Sequence, residues 1–160
     1  MPEPTIFDKL KQDHAKHRDL LARIGDAGAS EERKTLFEAF RIEVTAHAAA
    51  EEETLYATML ADPELRHEAQ HSVAEHKEVS DFLEELEKLD VASKDWSETF
   101  DKMRHRYLHH IDEEEEDMFP AAEEGIADPI VERLGERFEE RKPAELERAE
   151  AGVDGGDERE

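Results

Sequence analysis

The chain has 160 residues, which suits one domain. Its 45 acidic against 21 basic side chains leave a net charge of −24, which argues against nucleic acid or an anionic membrane as partner, because both need a basic patch. With no cysteine there is no disulfide, zinc–thiolate site, iron–sulfur cluster or thiol nucleophile. No apolar run approaches about 18 residues and no signal-peptide core is evident, so a soluble, cytoplasmic protein without a membrane span is expected.

Thr5 and Asp8 have the spacing of a capping box, with Asp in place of the usual Glu. Behind it Ile6, Leu10, His14, His17, Leu21 and Ile24 recur at intervals of three and four, an amphipathic helix with two histidines on its apolar stripe. Gly25 and Gly28 are expected to end it. Ser30 opens a second helix whose stripe is Phe37, Phe40, Val44, His47, Glu51 and Leu55. Here a histidine and a glutamate interrupt a core face. Asp62 and Pro63 end that helix and cap the third, with Asp as N-cap and Pro in the first helical position.

The third helix carries Leu65, Val73, His76, Val79, Leu83 and Leu86 and ends near Leu89 and Asp90, before a loop over 91–94. Asp95 is read as the start of a fourth helix with the stripe Phe100, Met103, Tyr107, His110, Glu114 and Met118, ended by Pro120. Asp128 and Pro129 start a shorter fifth helix reaching about Arg141, with Ile130, Leu134 and Phe138 apolar. Residues 1–142 are read as the domain and 143–160 as an acidic, disordered tail.

Four long helices with short connections pack as an all-α, up-down-up-down antiparallel four-helix bundle, here with a short fifth C-terminal helix. The two halves repeat. Asp13 and His14 match Glu75 and His76 at an offset of 76 − 14 = 62, and His47 with Glu51 matches His110 with Glu114 at 110 − 47 = 63. In each of the latter pairs the two side chains stand one turn apart, about 40° around the helix. A neutral imidazole and a carboxylate so placed can grip one metal ion.

Six such groups on inner stripes need a common partner, since each costs several kcal/mol if left unpaired in a core. Two ions fit six ligands better than one does. The glutamates could bridge them while the four histidines divide between the ends, leaving positions for solvent, an oxo or hydroxo bridge, or O2. Imidazole with carboxylate and no thiolate suits iron or manganese, with zinc a further candidate.

Taken together, Asp13-His14, His47 with Glu51-Glu52 and Leu55-Tyr56, Glu75-His76, and His110 with Glu114-Glu115 and Met118-Phe119-Pro120 resemble the haemerythrin-like HHE cation-binding family. The resemblance runs over roughly residues 5–142. It implies a four-helix bundle around two non-haem iron ions, oxo- or hydroxo-bridged, held by His14, His47, Glu51, His76, His110 and Glu114. It also implies reversible O2 binding or sensing, or redox consumption of peroxide (catalase-like) or nitric oxide at the same metals.

Animal haemerythrins carry two histidines one turn apart on the third helix. Here Ser72 and Val73 stand a turn before His76, so that ligand is missing. His17 is the candidate replacement, with a buried neighbour of the site as the alternative. Tyr56 falls off the stripe and could ligate only if its helix bends. His67, His71, His105 and His109 are expected on polar faces, and Glu52 and Glu115 as solvated groups or partners of the ligands. Two further readings stand beside the leading ones: a metal-free interaction bundle, and an iron-dependent regulator acting on a partner in trans.

Overall fold

A computed structural model of the chain describes residues 4–152. α1 spans Ile6–Ala27 and α2 Glu31–Glu51. α2 runs on through a π turn, Glu52–Tyr56, into a last α turn, α3, Ala57–Ala61. α4 spans Arg66–Lys88. α5, Lys94–Glu113, continues through a second π turn, Glu114–Met118, into α6, Phe119–Gly125. α7 spans Asp128–Glu150 and packs chiefly along α2, then on α1. The four long rods form the up-down-up-down bundle. Among the described residues there is no strand, and no helix is long and apolar enough to cross a membrane.

Local chemistry accounts for most boundaries. The Thr5 hydroxyl accepts from the Asp8 amide at 3.3 Å and the Asp8 carboxylate accepts from the Thr5 amide at 3.0 Å, a complete capping box. α1 passes through Gly25 and stops at Gly28, whose φ of 66° is open to glycine without strain. Ser30 caps α2. α5 starts two residues earlier than Asp95 would set it: the Ser93 hydroxyl accepts from the Trp96 amide at 3.1 Å, and Asp95 falls inside the first turn, where its charge still favours the helix dipole. Asp62 caps a hydrogen-bonded turn, and α4 proper begins only at Arg66.

The core has two apolar clusters. One holds Ile6, Phe7, Leu10, Leu55, Tyr56, Met59, Met118 and Phe119, closed by Val131, Leu134 and Phe138 of α7. The other holds Leu21, Ile24, Phe37, Phe40, Leu83, Leu86, Trp96, Phe100 and Met103. Along every long helix the buried histidines and glutamates fall between them. His14 and His17 separate Leu10 from Leu20 on α1, and His47 and Glu51 separate Val44 from Leu55. A thin polar layer thus crosses the bundle, dry on both sides.

Two boundaries depart from the sequence reading. Pro120 does not end the fourth rod. At the junction of π turn and α6 the hydrogen-bond register slips by one, with the Phe119 amide donating to the Glu114 carbonyl, so a residue lacking an N–H fits there. α7 runs past Arg141 and through Pro143 to Glu150. Pro143 is exposed, so water can take up the carbonyl it frees, while Glu145 and Ala149 are buried. The segment is pinned by Arg141 to Glu53 at 2.6 Å, Lys142 to Asp13 at 2.7 Å, and Arg41 to the Ala149 carbonyl at 3.2 Å. Ile130, assigned to the apolar face, is 40% exposed; Val131 takes its place. Residues 153–160 of the expected tail lie outside the described residues.

Ending the chain at Arg141 removes the Lys142 and Ala149 contacts and the packing of Glu145 and Ala149. It should cost about 2 kcal/mol and lower Tm by roughly 4–8 °C in a thermal melt; an unchanged Tm would mean that 142–150 contribute no packing.

Candidate metal centre

Each long rod contributes one candidate ligand histidine, α2 adds Glu51 at its last α position, and Glu114 opens the π turn that follows α5. The six side chains are all buried. Glu51 is approached by His47 of its own helix at 3.5 Å and by His76 of α4 at 3.4 Å. Glu114 is approached by His110 of its own helix at 3.6 Å and by His14 of α1 at 3.1 Å. In every case the imidazole atom is Nε2. Two ligand-capable groups result: His14, His47, Glu51 and Glu114, and Glu51, His76, His110 and Glu114, each with its atoms within 4.8 Å of one another. Both contain both glutamates, the bridging arrangement expected from the repeat.

The outer nitrogens are as regular as the inner ones. Nδ1 of His14 meets Glu115 at 2.7 Å, and that of His47 meets Asp13 at 2.8 Å. Nδ1 of His76 meets Glu52 at 2.9 Å, and that of His110 meets Glu75 at 2.8 Å. A carboxylate that accepts the Nδ1–H fixes the ring and turns Nε2, lone pair outward, to the centre. The partners obey the duplication: Asp13 and Glu75 each precede a histidine, while Glu52 and Glu115 each follow a buried glutamate. Nε2 of His14 and of His47, both oxygens of Glu51 and Oε1 of Glu114 have no hydrogen-bond partner although fully enclosed. Leaving such atoms bare costs several kcal/mol, and a cation among them removes that cost. The donors are four imidazole nitrogens and two carboxylates without sulfur, a set that fits iron or manganese.

The π turns explain Tyr56. Five residues beyond Glu51, it would stand about 140° away on a regular α-helix. The wider turn takes an extra residue and brings it back towards the stripe. Its hydroxyl donates to Glu114 and lies 3.3 Å from Nε2 of His76. The same turn puts Phe119 of the other half flat against His14, 6.0 Å between centroids. His17 is wholly buried in the polar layer, but neither four-residue group includes it; Nδ1 meets the Tyr107 hydroxyl at 2.7 Å.

His67, His71, His105 and His109 are exposed, as expected. Yet His71 reaches Glu75 at 3.4 Å and Glu113 at 3.3 Å, a smaller cluster at a polar cleft leading to His110 and Glu114. Sequence reasoning gave Asp13 and Glu75 no role of their own; their repeated place just before each first-helix histidine was the available signal.

A family model described as Hemerythrin HHE cation binding domain matches residues 5–122. The chain belongs to the hemerythrin HHE family. It is 31% identical over 139 residues to the uncharacterized protein Rv2633c of Mycobacterium tuberculosis, covering 86% of this chain and 84% of that one. It is equally similar to the uncharacterized protein Mb2666c of Mycobacterium bovis. A crystal structure of an HHE cation binding domain-containing protein from Mycobacterium kansasii, a homolog of Rv2633c, superposes with a TM-score of 0.77 at 30% identity, covering 88% of this chain and 86% of that one.

The electrostatics of this HHE chain without metal are those of a protonated cage. Burial alone would lower His14 and His76, but the facing carboxylates of Glu114 and Glu115 raise His14 to about 9, and those of Glu51 and Glu52 raise His76 to about 10. Burial would raise Glu51; the facing His47 and His76 hold it well below 4.5 instead. Metal competes with these protons, because ligation needs neutral imidazole.

A group whose folded pKa exceeds its unfolded value stabilises fully below the unfolded value and loses that contribution as pH climbs through the folded one. Melts of the metal-free HHE chain should therefore show Tm falling between about pH 7 and 10 as His14 and His76 lose their protons. Glu51, shifted the other way, loses its contribution as pH drops below about 4.5. A flat Tm from pH 7 to 10 would contradict the protonated cage.

Proposed function

We propose that the chain is a non-haem di-iron protein that binds or senses O2. The reading rests on one observation: two four-residue groups of ligand-capable atoms share both Glu51 and Glu114. His14 and His47 would serve one ion, His76 and His110 the other, and the glutamates both. When bound, the iron pair supplies ferrous–ferric redox chemistry and open positions for a diatomic ligand. The protein's own part is to hold six donors in place through Asp13, Glu52, Glu75 and Glu115, and to keep water out. Phe40, Val44, Val79 and Met103, all buried beside the polar layer, favour that exclusion. A small ligand has a path in: a cleft of about 240 Å³ lined by Val44, Ala48, Val73, Val79 and Tyr107 reaches His47 and His76.

A second reading, consumption of peroxide or nitric oxide at the same centre, gains from Tyr56. Its buried phenol, raised well above 10 by burial and by Glu114, stays protonated. A fixed O–H donor inside the site can hydrogen-bond a peroxide oxygen and so hold the substrate for disproportionation. Stopped-flow mixing separates the two. Steady oxygen evolution from added peroxide favours the enzyme, and a reversible oxygenated spectrum favours the carrier or sensor.

Purified protein is expected to carry about two irons with a charge-transfer spectrum in the visible. Glu51→Ala removes a group common to both sets and should bring iron below about one per chain, whereas His14→Ala should leave about one. Equal losses from the two variants would argue against shared carboxylates, and a colourless, iron-free wild type would overturn the proposal.

A further inference from the structure

The duplicated halves agree at every candidate ligand and differ beside them. The offsets of 62 and 63 pair His17 with Val79 (17 + 62) and Tyr107 with Val44 (44 + 63). Val79 and Val44 are buried apolar core. His17 and Tyr107 instead form a buried polar pair at 2.7 Å on one half only. The ring of His17 stands 5.0 Å from that of His47 and 6.4 Å from that of His14, both on the same half of the centre.

The direction of that hydrogen bond follows from the chemistry. Both rings are buried, and among the described residues neither makes an ion pair that would hold a charge there, so both are neutral. This is the only hydrogen bond of the Tyr107 hydroxyl among the described residues. Imidazole nitrogen is the better acceptor and phenol the better donor, so Tyr107 donates to Nδ1. A neutral imidazole accepting at Nδ1 carries its proton on Nε2. That Nε2–H is enclosed and has no partner. A buried donor without an acceptor costs on the order of 1–3 kcal/mol, and neither four-residue group takes His17 as a ligand.

We propose that His17, its tautomer fixed by Tyr107, donates its Nε2–H to a small anionic or oxygen-centred ligand bound on the His14/His47 half, so that the two halves of the centre are unequal in function. The inference rests on the two-metal reading above. The ligand class follows from the donor. A neutral N–H in a dry layer favours a ligand atom bearing negative charge and gives nothing to an apolar one. Tyr107, which lines the α2–α4 cleft, links the route inward to the donor. On the Val79/Val44 side the two matching positions are apolar, and the nearby Tyr56 phenol already donates to Glu114.

Azide, a small anion, is the probe, titrated by visible absorbance into the iron-loaded full chain. His17→Leu removes the donor and His17→Gln keeps one. Tyr107→Phe removes only the hydroxyl that fixes the tautomer, and it tests the same point if the Leu variant folds poorly. Azide Kd is expected to rise about tenfold in His17→Leu and several-fold in Tyr107→Phe, and to stay within about threefold in His17→Gln, with iron content unchanged.

The metal-free protein gives an independent readout. Its imidazole 15N shifts should mark His17 as protonated on Nε2 and bare on Nδ1; the opposite tautomer overturns the inference. Unchanged azide affinity in both His17→Leu and Tyr107→Phe overturns it too. Loss of about one iron in His17→Leu overturns it by making His17 a ligand. A wild type that takes up no iron sinks the two-metal reading and this inference with it, an outcome distinct from iron uptake with indifferent azide binding.

Discussion

The constraint on which the structure depends is the burial of two carboxylates, Glu51 and Glu114, at the centre of a helical bundle. Both are buried, and among the described residues neither makes an ion pair with a lysine or arginine. An ionised carboxylate in such a place is tolerated only with opposite charge or a metal close by. Four imidazoles provide the first answer, one from each long rod, each held by its own outer carboxylate. Without metal, His14, His47 and His76 hold their protons more tightly than a free imidazole does, which balances the charge. With metal the same geometry exchanges protons for cations. The apolar clusters above and below keep the layer dry, so each interaction in it is stronger than on the surface.

Duplication made this economical. One helical hairpin, repeated, gives two equivalent halves, and each glutamate receives a histidine from its own helix and one from the other half. Of the outer carboxylates, Glu52 and Glu115 reach a histidine of the other half, while Asp13 and Glu75 hold one of their own half. The exceptions to the symmetry cluster around the site: Tyr56 against Phe119, and His17 with Tyr107 against Val79 and Val44. A scaffold built from two copies thus offers two like groups of ligand-capable side chains with different surroundings. α7 adds a further link, since Lys142 and Arg141 reach Asp13 and Glu53 at the edge of the layer.

Much of this was legible in the sequence, because periodicity of three and four identifies the stripe and the stripe carried His14, His47, Glu51, His76, His110 and Glu114. The bundle followed from four such stripes and short connections. What escaped was whatever departs from a regular α-helix. The π turns at Glu51 and Glu114 leave no plain composition signal, so Tyr56 was placed off the site and Pro120 was read as a stop. The fifth helix was likewise read as ending near Arg141, whereas buried Glu145 and Ala149 and the ion pairs around them carry it onward. Asp13 and Glu75 were visible as motif members, but their work is done across helices, towards His47 and His110, and spacing along one helix does not reveal it.

The central claim is that two metal ions share Glu51 and Glu114 between two histidine pairs. Diffraction at the iron absorption edge from crystals of the iron-loaded chain tests it most directly. The account expects two anomalous maxima, one against His14 and His47 and one against His76 and His110, with both glutamates touching both. A single maximum, or iron found only at the exposed His71 and Glu113 cluster with the buried layer empty, would contradict it.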